Sequence, residues 1–246
     1  MIYPAPGVQV GSPPPGFEEV LLKLDDGSQV VAWHRSLPRP NSRPVMIFFH
    51  GNGENLETMK WAGLYEQLAA LEVPLLVVDY PGYGRSTGQA SEESLKSTAE
   101  MALRWTRERY PLLPVVPCGW SLGAALAIHL AAVEPREIQG LVAISAWTSL
   151  HEVASSHFPG WLVSVGLREK YDSLSAVLLV DSPALVIHGT GDRIISVDQG
   201  RRLAAQLKNV DWVAVEGAGH NDLLTFAVVW QEVDDFVSGL STLVGV

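Results

Sequence analysis

Leu113-Pro114-Val115-Val116-Pro117-Cys118-Gly119-Trp120-Ser121-Leu122-Gly123-Ala124-Ala125 is the stretch on which the reading of this chain turns. An apolar run as long as a buried strand ends in Gly119, and Gly119-Trp120-Ser121-Leu122-Gly123 has the form G-x-S-x-G. In that motif a strand bends sharply into a helix and holds a serine hydroxyl above the sheet edge. Glycines are required at such a bend because side chains there would strike the neighbouring backbone. Ala124, Ala125 and Ala127 follow and keep the next helix slim enough to lie close on a sheet. With 22 glycines in the chain, a chance match somewhere has odds of roughly one in six, so the pattern alone is weak. The position between an apolar strand and a small-residue helix gives this one its weight.

Working outward, short continuous apolar runs recur on both sides: Val45–Phe49, Leu75–Val78, Leu113–Cys118, Leu141–Ile144, Ala184–Ile187 and Val210–Val215. Each has the length of a strand buried on both faces, as a parallel sheet requires. Segments of helical period separate them. Ser91 before Glu92 and Glu93 starts one helix, with the acids facing the positive end of its dipole. Ser196 and Gln199 are spaced as a capping box opening a helix over Val197–Leu207. Leu223, Phe226, Trp230, Val233, Phe236, Val237 and Leu240 form the apolar stripe of a last helix. Before all of these, Phe17–Leu24 and Gln29–His34 flank Asp26-Gly27 and read as a hairpin. Residues 1–16, with five prolines, read as an extended lead-in. The pattern is of the α/β class: a mostly parallel, doubly wound sheet opened by an antiparallel hairpin, in one domain over 1–246.

In such sheets, ligands and chemistry collect at the carboxyl ends of the strands. A serine there is a weak nucleophile until a base takes its proton. His188-Gly189-Thr190-Gly191-Asp192 puts Asp192 just beyond a strand end, and Gly217-Ala218-Gly219-His220-Asn221-Asp222 puts His220 before the last helix. The chain order Ser121, Asp192, His220 is the order this architecture uses, with His220 as base and Asp192 as its orienting acid. The competing histidines read as braces or surface residues: His34 in the hairpin, His129 in a helix, His50 and His188 before glycines, His151 and His157 over the sheet. Asp79 precedes the serine and reads as a brace of the turn Asp79–Gly84, while Asp222 is too close to His220 in sequence to orient it. An oxyanion also needs backbone donors. Leu122, directly after the serine, is one candidate; Asn52 in the loop Phe49–Asn55 is the other, with Gly53 as its alternative.

Taken together, His50-Gly51-Asn52-Gly53, Asp79–Gly88, Gly119–Gly123, His188–Asp192 and Gly219–Asp222 resemble the α/β-hydrolase superfamily, from about Phe17 to Leu240. Within it they resemble the small-cap branch of abhydrolase-domain proteins that includes acyl-protein thioesterases and bud-emergence-type hydrolases. The resemblance implies the α/β-hydrolase fold and hydrolysis of carboxylic esters or thioesters through an acyl-enzyme on Ser121. Membrane-associated thioesterases of this kind carry an N-terminal cysteine cluster for lipidation; here the single cysteine is Cys118, so protein depalmitoylation at a membrane is not expected. The alternatives on the same fold are a serine peptidase or amidase, and a non-catalytic binding module.

The segment 145–181 is the expected short cap. Its Trp147, Phe158, Trp161, Leu162, Val163, Leu167 and Tyr171 either line an acyl pocket or complete the core. The expected partner is a small-molecule acyl ester. With 17 basic against 27 acidic residues, a net charge of −10 and no basic run, nucleic acid is not an expected partner. Metal-ligand spacings, a phosphate loop and a dinucleotide fingerprint are all missing, so no cofactor or metal is expected. With neither a signal-peptide pattern nor a membrane-length apolar run, the expected setting is cytoplasmic, without stable membrane insertion.

Overall fold

A computed structural model describes residues 2–37 and 43–243. Its centre is one eight-stranded sheet of β1 (Glu18–Lys23), β2 (Gln29–Arg35), β3 (Val45–Phe49), β4 (Leu75–Val78), β5 (Val115–Trp120), β6 (Leu141–Ile144), β7 (Ala184–Gly189) and β8 (Val210–Val215). The spatial order is β1-β2-β4-β3-β5-β6-β7-β8. The β1–β2 hairpin pairs from Glu18 opposite His34 to Lys23 opposite Gln29, and β2 runs antiparallel to β4. From β4 to β8 every pairing is parallel. This is the mostly parallel, doubly wound sheet opened by a hairpin that the apolar runs predict, and the α/β-hydrolase fold that the resemblance implies.

Side-chain alternation along the strands divides the core into two layers. Ile47, Phe49, Leu76 and Val78 face one side, against α3 (Glu92–Arg109), α4 (Leu122–Val133) and α8 (Val197–Ala204). Met46, Phe48, Leu75 and Val77 face the other, against α1 (Leu56–Trp61), α2 (Leu64–Ala70) and α9 (Ala227–Leu243). Between β6 and β7 lie α5 (Leu150–His157), α6 (Gly160–Gly166) and α7 (Ser173–Ala176). Among the described residues, no helix is long and apolar enough to cross a membrane.

Four local expectations are corrected. Strand β5 starts at Val115 rather than Leu113. Strand β8 is the last in the sheet order and only half-buried, because an edge strand has a neighbour on one side alone. Ser196 caps α8 through Asp198 N–H, but Gln199 does not complete a capping box. Its side chain is buried and instead accepts from Thr148 N–H and Oγ1–H, both at 3.1 Å. Finally, Leu223–Thr225 is a separate 3₁₀ turn, and extended backbone at Phe226 starts the last helix only at Ala227.

Candidate active site

At the end of β5 the chain passes into α4 within one residue. Ser121 sits at φ 57°, ψ −113°, a conformation costly for a side-chain-bearing residue and stable only when the surroundings impose it. They do so from both sides. Ser121 N–H donates to Ile144 O of β6 at 2.9 Å, and its carbonyl accepts from Ala124 N–H at 3.0 Å. A Cβ on Gly119 would overlap the Gly123 carbonyl, and one on Gly123 would overlap the Phe49 carbonyl at the end of β3. Gly123→Ala therefore forces strand from helix and is expected to destabilise the protein by about 3 kcal/mol or more. Thermal melts should show a fall in Tm on the order of 10 °C, given ~2–4 °C per kcal/mol for a chain of this size.

Two loops bring the other predicted residues to this serine. The loop after β7 carries Asp192 and the loop after β8 carries His220; Gly191 N–H donates to Ala218 O at 2.9 Å and ties them together. His220 Nδ1–H donates to Asp192 Oδ2 at 2.7 Å, and His220 Nε2 accepts from Ser121 Oγ–H at 3.0 Å. All three residues are buried, and the Trp120 ring lies 5.3 Å from the His220 ring, centroid to centroid. Asp192 Oδ1 accepts from the N–H groups of Ile194 and Ile195 at 2.9 and 2.8 Å. Burial works to raise this carboxyl, but bonds from His188, His220 and the Ile195 N–H outweigh it and hold it well below the usual carboxylate range. His188 is thus a brace, as its place before a glycine predicts. Its Nε2–H donates to Ile195 O at 3.0 Å and lies 3.4 Å from Asp192 Oδ2.

Asp79 takes no part in this line. It lies 3.2 Å from His50 Nε2 and accepts from Tyr80 N–H, while His50 Nδ1–H donates to Gly51 O at 2.8 Å. Burial raises the Asp79 carboxyl against the pull of His50. The Tyr80 hydroxyl donates to His50 O at 2.7 Å, so this buried cluster holds the loop after β3 in place. Asp222 accepts from Gly219 N–H and shapes the turn before His220.

Asn52 and Leu122 line the same cavity as Ser121. Leu122 opens α4, so its N–H is one of the first-turn donors without an intrahelical acceptor. Both ends of the Asn52 amide are engaged, Nδ2–H with Ile2 O at 2.7 Å and Oδ1 with the Tyr83 hydroxyl at 2.8 Å. The side-chain amide therefore fixes the loop. Gly53, the alternative donor, is not among the residues that line the cavity.

The cavity measures about 260 Å³, at the small end for a ligand site. From the segment between β6 and β7 it takes Trp147, Leu150, Val153 and Tyr171. Trp147 and Tyr171 are 4% and 2% exposed, whereas Trp161 is 73% exposed and Phe158, Leu162 and Val165 are also turned outward. Trp161 thus fits neither the pocket reading nor the core reading of the sequence. Trp161→Ala should change stability by no more than about 0.5 kcal/mol, as surface substitutions do. Sequence reasoning missed Ile2 and Tyr3, which also line the cavity from the proline-rich lead-in.

Sheet order, the bend at Ser121 and the two loops after β7 and β8 define the α/β-hydrolase class of architecture. A family model described as the alpha/beta hydrolase fold matches residues 44–165. An uncharacterized protein of Mycobacterium tuberculosis is 32% identical over 93% of this chain and 82% of its own. Alpha/beta hydrolase domain-containing protein 17B of Homo sapiens is 31% identical over 81% of this chain and 68% of its own. The solved structure of the Pyrococcus furiosus esterase Pf2001 superposes with a TM-score of 0.76 at 20% identity, covering 96% of this chain and 97% of that one. The chain belongs to the alpha/beta hydrolase family.

Proposed function

We propose that this protein is a serine hydrolase that cleaves carboxylic esters, and thioesters of similar size, through an acyl-enzyme on Ser121. The observation that carries the reading is the continuous line Asp192 Oδ2, His220 Nδ1 and Nε2, Ser121 Oγ, with spacings of 2.7 and 3.0 Å. An ionised Asp192 only accepts hydrogen bonds, so it places the imidazole proton on Nδ1 and leaves Nε2 free to take the serine proton.

The reaction follows from that tautomer. Ser121 Oγ attacks the acyl carbonyl while its proton passes to His220 Nε2, and the imidazolium is stabilised by Asp192. The Asn52 and Leu122 N–H groups receive the oxyanion. His220 then protonates the leaving alkoxide or thiolate as the carbonyl re-forms. Water repeats the sequence on the acyl-enzyme, and Ser121 is regenerated. Residues 145–181 act as a short cap over the site, within a single domain.

Trp147 and Trp161 separate pocket from surface within that cap. Each methylene buried against the pocket stabilises binding by roughly 0.8 kcal/mol, so trimming a lining ring changes the ranking of acyl chains. Trp147→Ala is expected to reorder kcat/KM among p-nitrophenyl esters by about 10-fold between acetyl and hexanoyl. Trp161→Ala should leave that order as it is. A reordering by Trp161→Ala with none from Trp147→Ala contradicts the assignment of the pocket.

The hydrolase reading is tested by turnover of p-nitrophenyl butyrate beside a butyryl anilide and a butyryl thioester, with Ser121→Ala as control. Ester and thioester cleavage lost in Ser121→Ala supports it. Faster anilide cleavage points to an amidase, and no turnover of any of the three contradicts it.

A further inference from the structure

One wall of the cavity comes from a part of the chain that belongs to no helix and no strand. Residues 2–12 carry no regular structure. Backbone of that kind usually stays solvated and loosely held. Here its polar groups are taken up at intervals by side chains of the body. Asn52 Nδ2–H donates to Ile2 O at 2.7 Å, Asn55 Nδ2–H to Val8 O at 3.0 Å, and Lys60 Nζ–H to Ser12 O at 3.1 Å. Gly11 N–H donates to Glu57 Oε2 at 3.0 Å, and the Val10 side chain is buried. The segment is laid along the loop after β3 and along α1, and it reaches the cavity at Ile2 and Tyr3.

At that point it meets the segment between β6 and β7. The hydroxyls of Tyr3 and Tyr171 are 2.8 Å apart. Tyr171 is buried and holds φ at 38°, a left-handed conformation that a bulky residue keeps only where its surroundings demand it. The hydrogen bond joins lead-in to cap, so one wall is continuous from Asn52 through Ile2 and Tyr3 to Tyr171. Nothing in Ile2 or Tyr3 is placed for proton transfer or charge stabilisation. Both line the same cavity as Ser121, so their bulk bears on how much acyl chain a space of about 260 Å³ can take.

We propose that residues 2–12 are a strap whose Ile2 and Tyr3 side chains set the acyl-size limit of the Ser121 site. The assignment rests on the serine-hydrolase reading and concerns selectivity only. Tyr3 and Ile2 are specificity residues; the Tyr3–Tyr171 bond positions them.

The experiment uses the full chain with Tyr3→Ala, Ile2→Trp and Tyr3→Phe, and reads kcat/KM for p-nitrophenyl acetate and p-nitrophenyl octanoate beside Tm. Opening the wall with Tyr3→Ala should raise the octanoate-to-acetate ratio about 10-fold or more, and filling it with Ile2→Trp should lower that ratio by a similar factor. Tyr3→Phe keeps the ring and loses only the bond to Tyr171, so it should lower Tm while leaving the ratio within about 3-fold. A ratio unchanged in both Tyr3→Ala and Ile2→Trp, with acetate turnover retained, overturns the strap. Proportional loss of both activities with a falling Tm also overturns it, because that is what a purely structural strap gives. The hydrolase reading fails by a different pattern: the parent chain turns over neither ester and takes up no fluorophosphonate, and the strap proposal falls with it.

Discussion

His220→Ala is expected to lower kcat for a p-nitrophenyl ester by about 10⁶-fold, the scale at which other triads lose their base. KM should move little, because in the proposed mechanism the imidazole acts on the transition state and not in holding the acyl group. A serine hydroxyl without an adjacent base is a poor nucleophile near neutral pH. In this molecule the proposed base is singular in position. Among the described histidines, the one whose ring nitrogen bonds Ser121 Oγ is His220. His50 has its Nδ1 proton committed to Gly51 O, and His188 its Nε2 proton to Ile195 O. Ser121→Ala combined with His220→Ala should cost little more than the worse single change, since the two act as one unit. Initial rates for the two single variants and the double variant measure this. Multiplicative losses, or a His220→Ala variant within about 10-fold of the parent, contradict the assignment.

Asp192→Asn is expected to cost roughly 10⁴-fold in kcat with the fold retained, and the reason is the tautomer. Oδ1 is held by the N–H groups of Ile194 and Ile195, so an asparagine keeps its carbonyl oxygen there and turns its NH₂ toward His220. Nδ1 must then accept, the ring proton moves to Nε2, and Nε2 can no longer receive the serine proton. The same carboxylate also links stability to pH. Its folded pKa is depressed, so its contribution is fully present above the ordinary carboxylate pKa of about 3.9 and is lost as pH falls through the lower folded value. The Tm gap between parent and Asp192→Asn should therefore be widest near neutrality and narrow below about pH 4. A gap that widens in acid, or an Asp79→Asn variant that loses turnover while Asp192→Asn keeps it, contradicts this account.

Where the structure brings together residues that the sequence singles out, the signal was local or ordinal. G-x-S-x-G lies within five residues; Gly119 is dictated by the Gly123 carbonyl that the bend itself brings close, and Gly123 by the Phe49 carbonyl at the end of the neighbouring strand β3. Asp192 and His220 follow from chain order once the parallel strands are counted. Gln199 shows where such reasoning stops. Its spacing from Ser196 matches a capping box, yet a buried partner in Thr148 competes for the same amide, and the partner lies 51 residues away. Trp161 shows a second limit: a seven-residue helix is too short for its apolar spacing to fix which face is turned inward. Ile2 and Tyr3 were illegible for a third reason. Their place depends on Asn52, Asn55 and Glu57 capping an irregular backbone, and irregular backbone has no period to read. The bounds of the segment between β6 and β7 follow from strand order, but which of its aromatic rings reach the cavity is decided by tertiary packing.

The central claim is that Ser121 is the nucleophile, and covalent labelling tests it most directly. After reaction with a fluorophosphonate, intact mass should show a single adduct, and peptide mapping should put it on Ser121, with labelling lost in Ser121→Ala. An adduct on another residue, or labelling that persists at the parent rate in Ser121→Ala, contradicts the account.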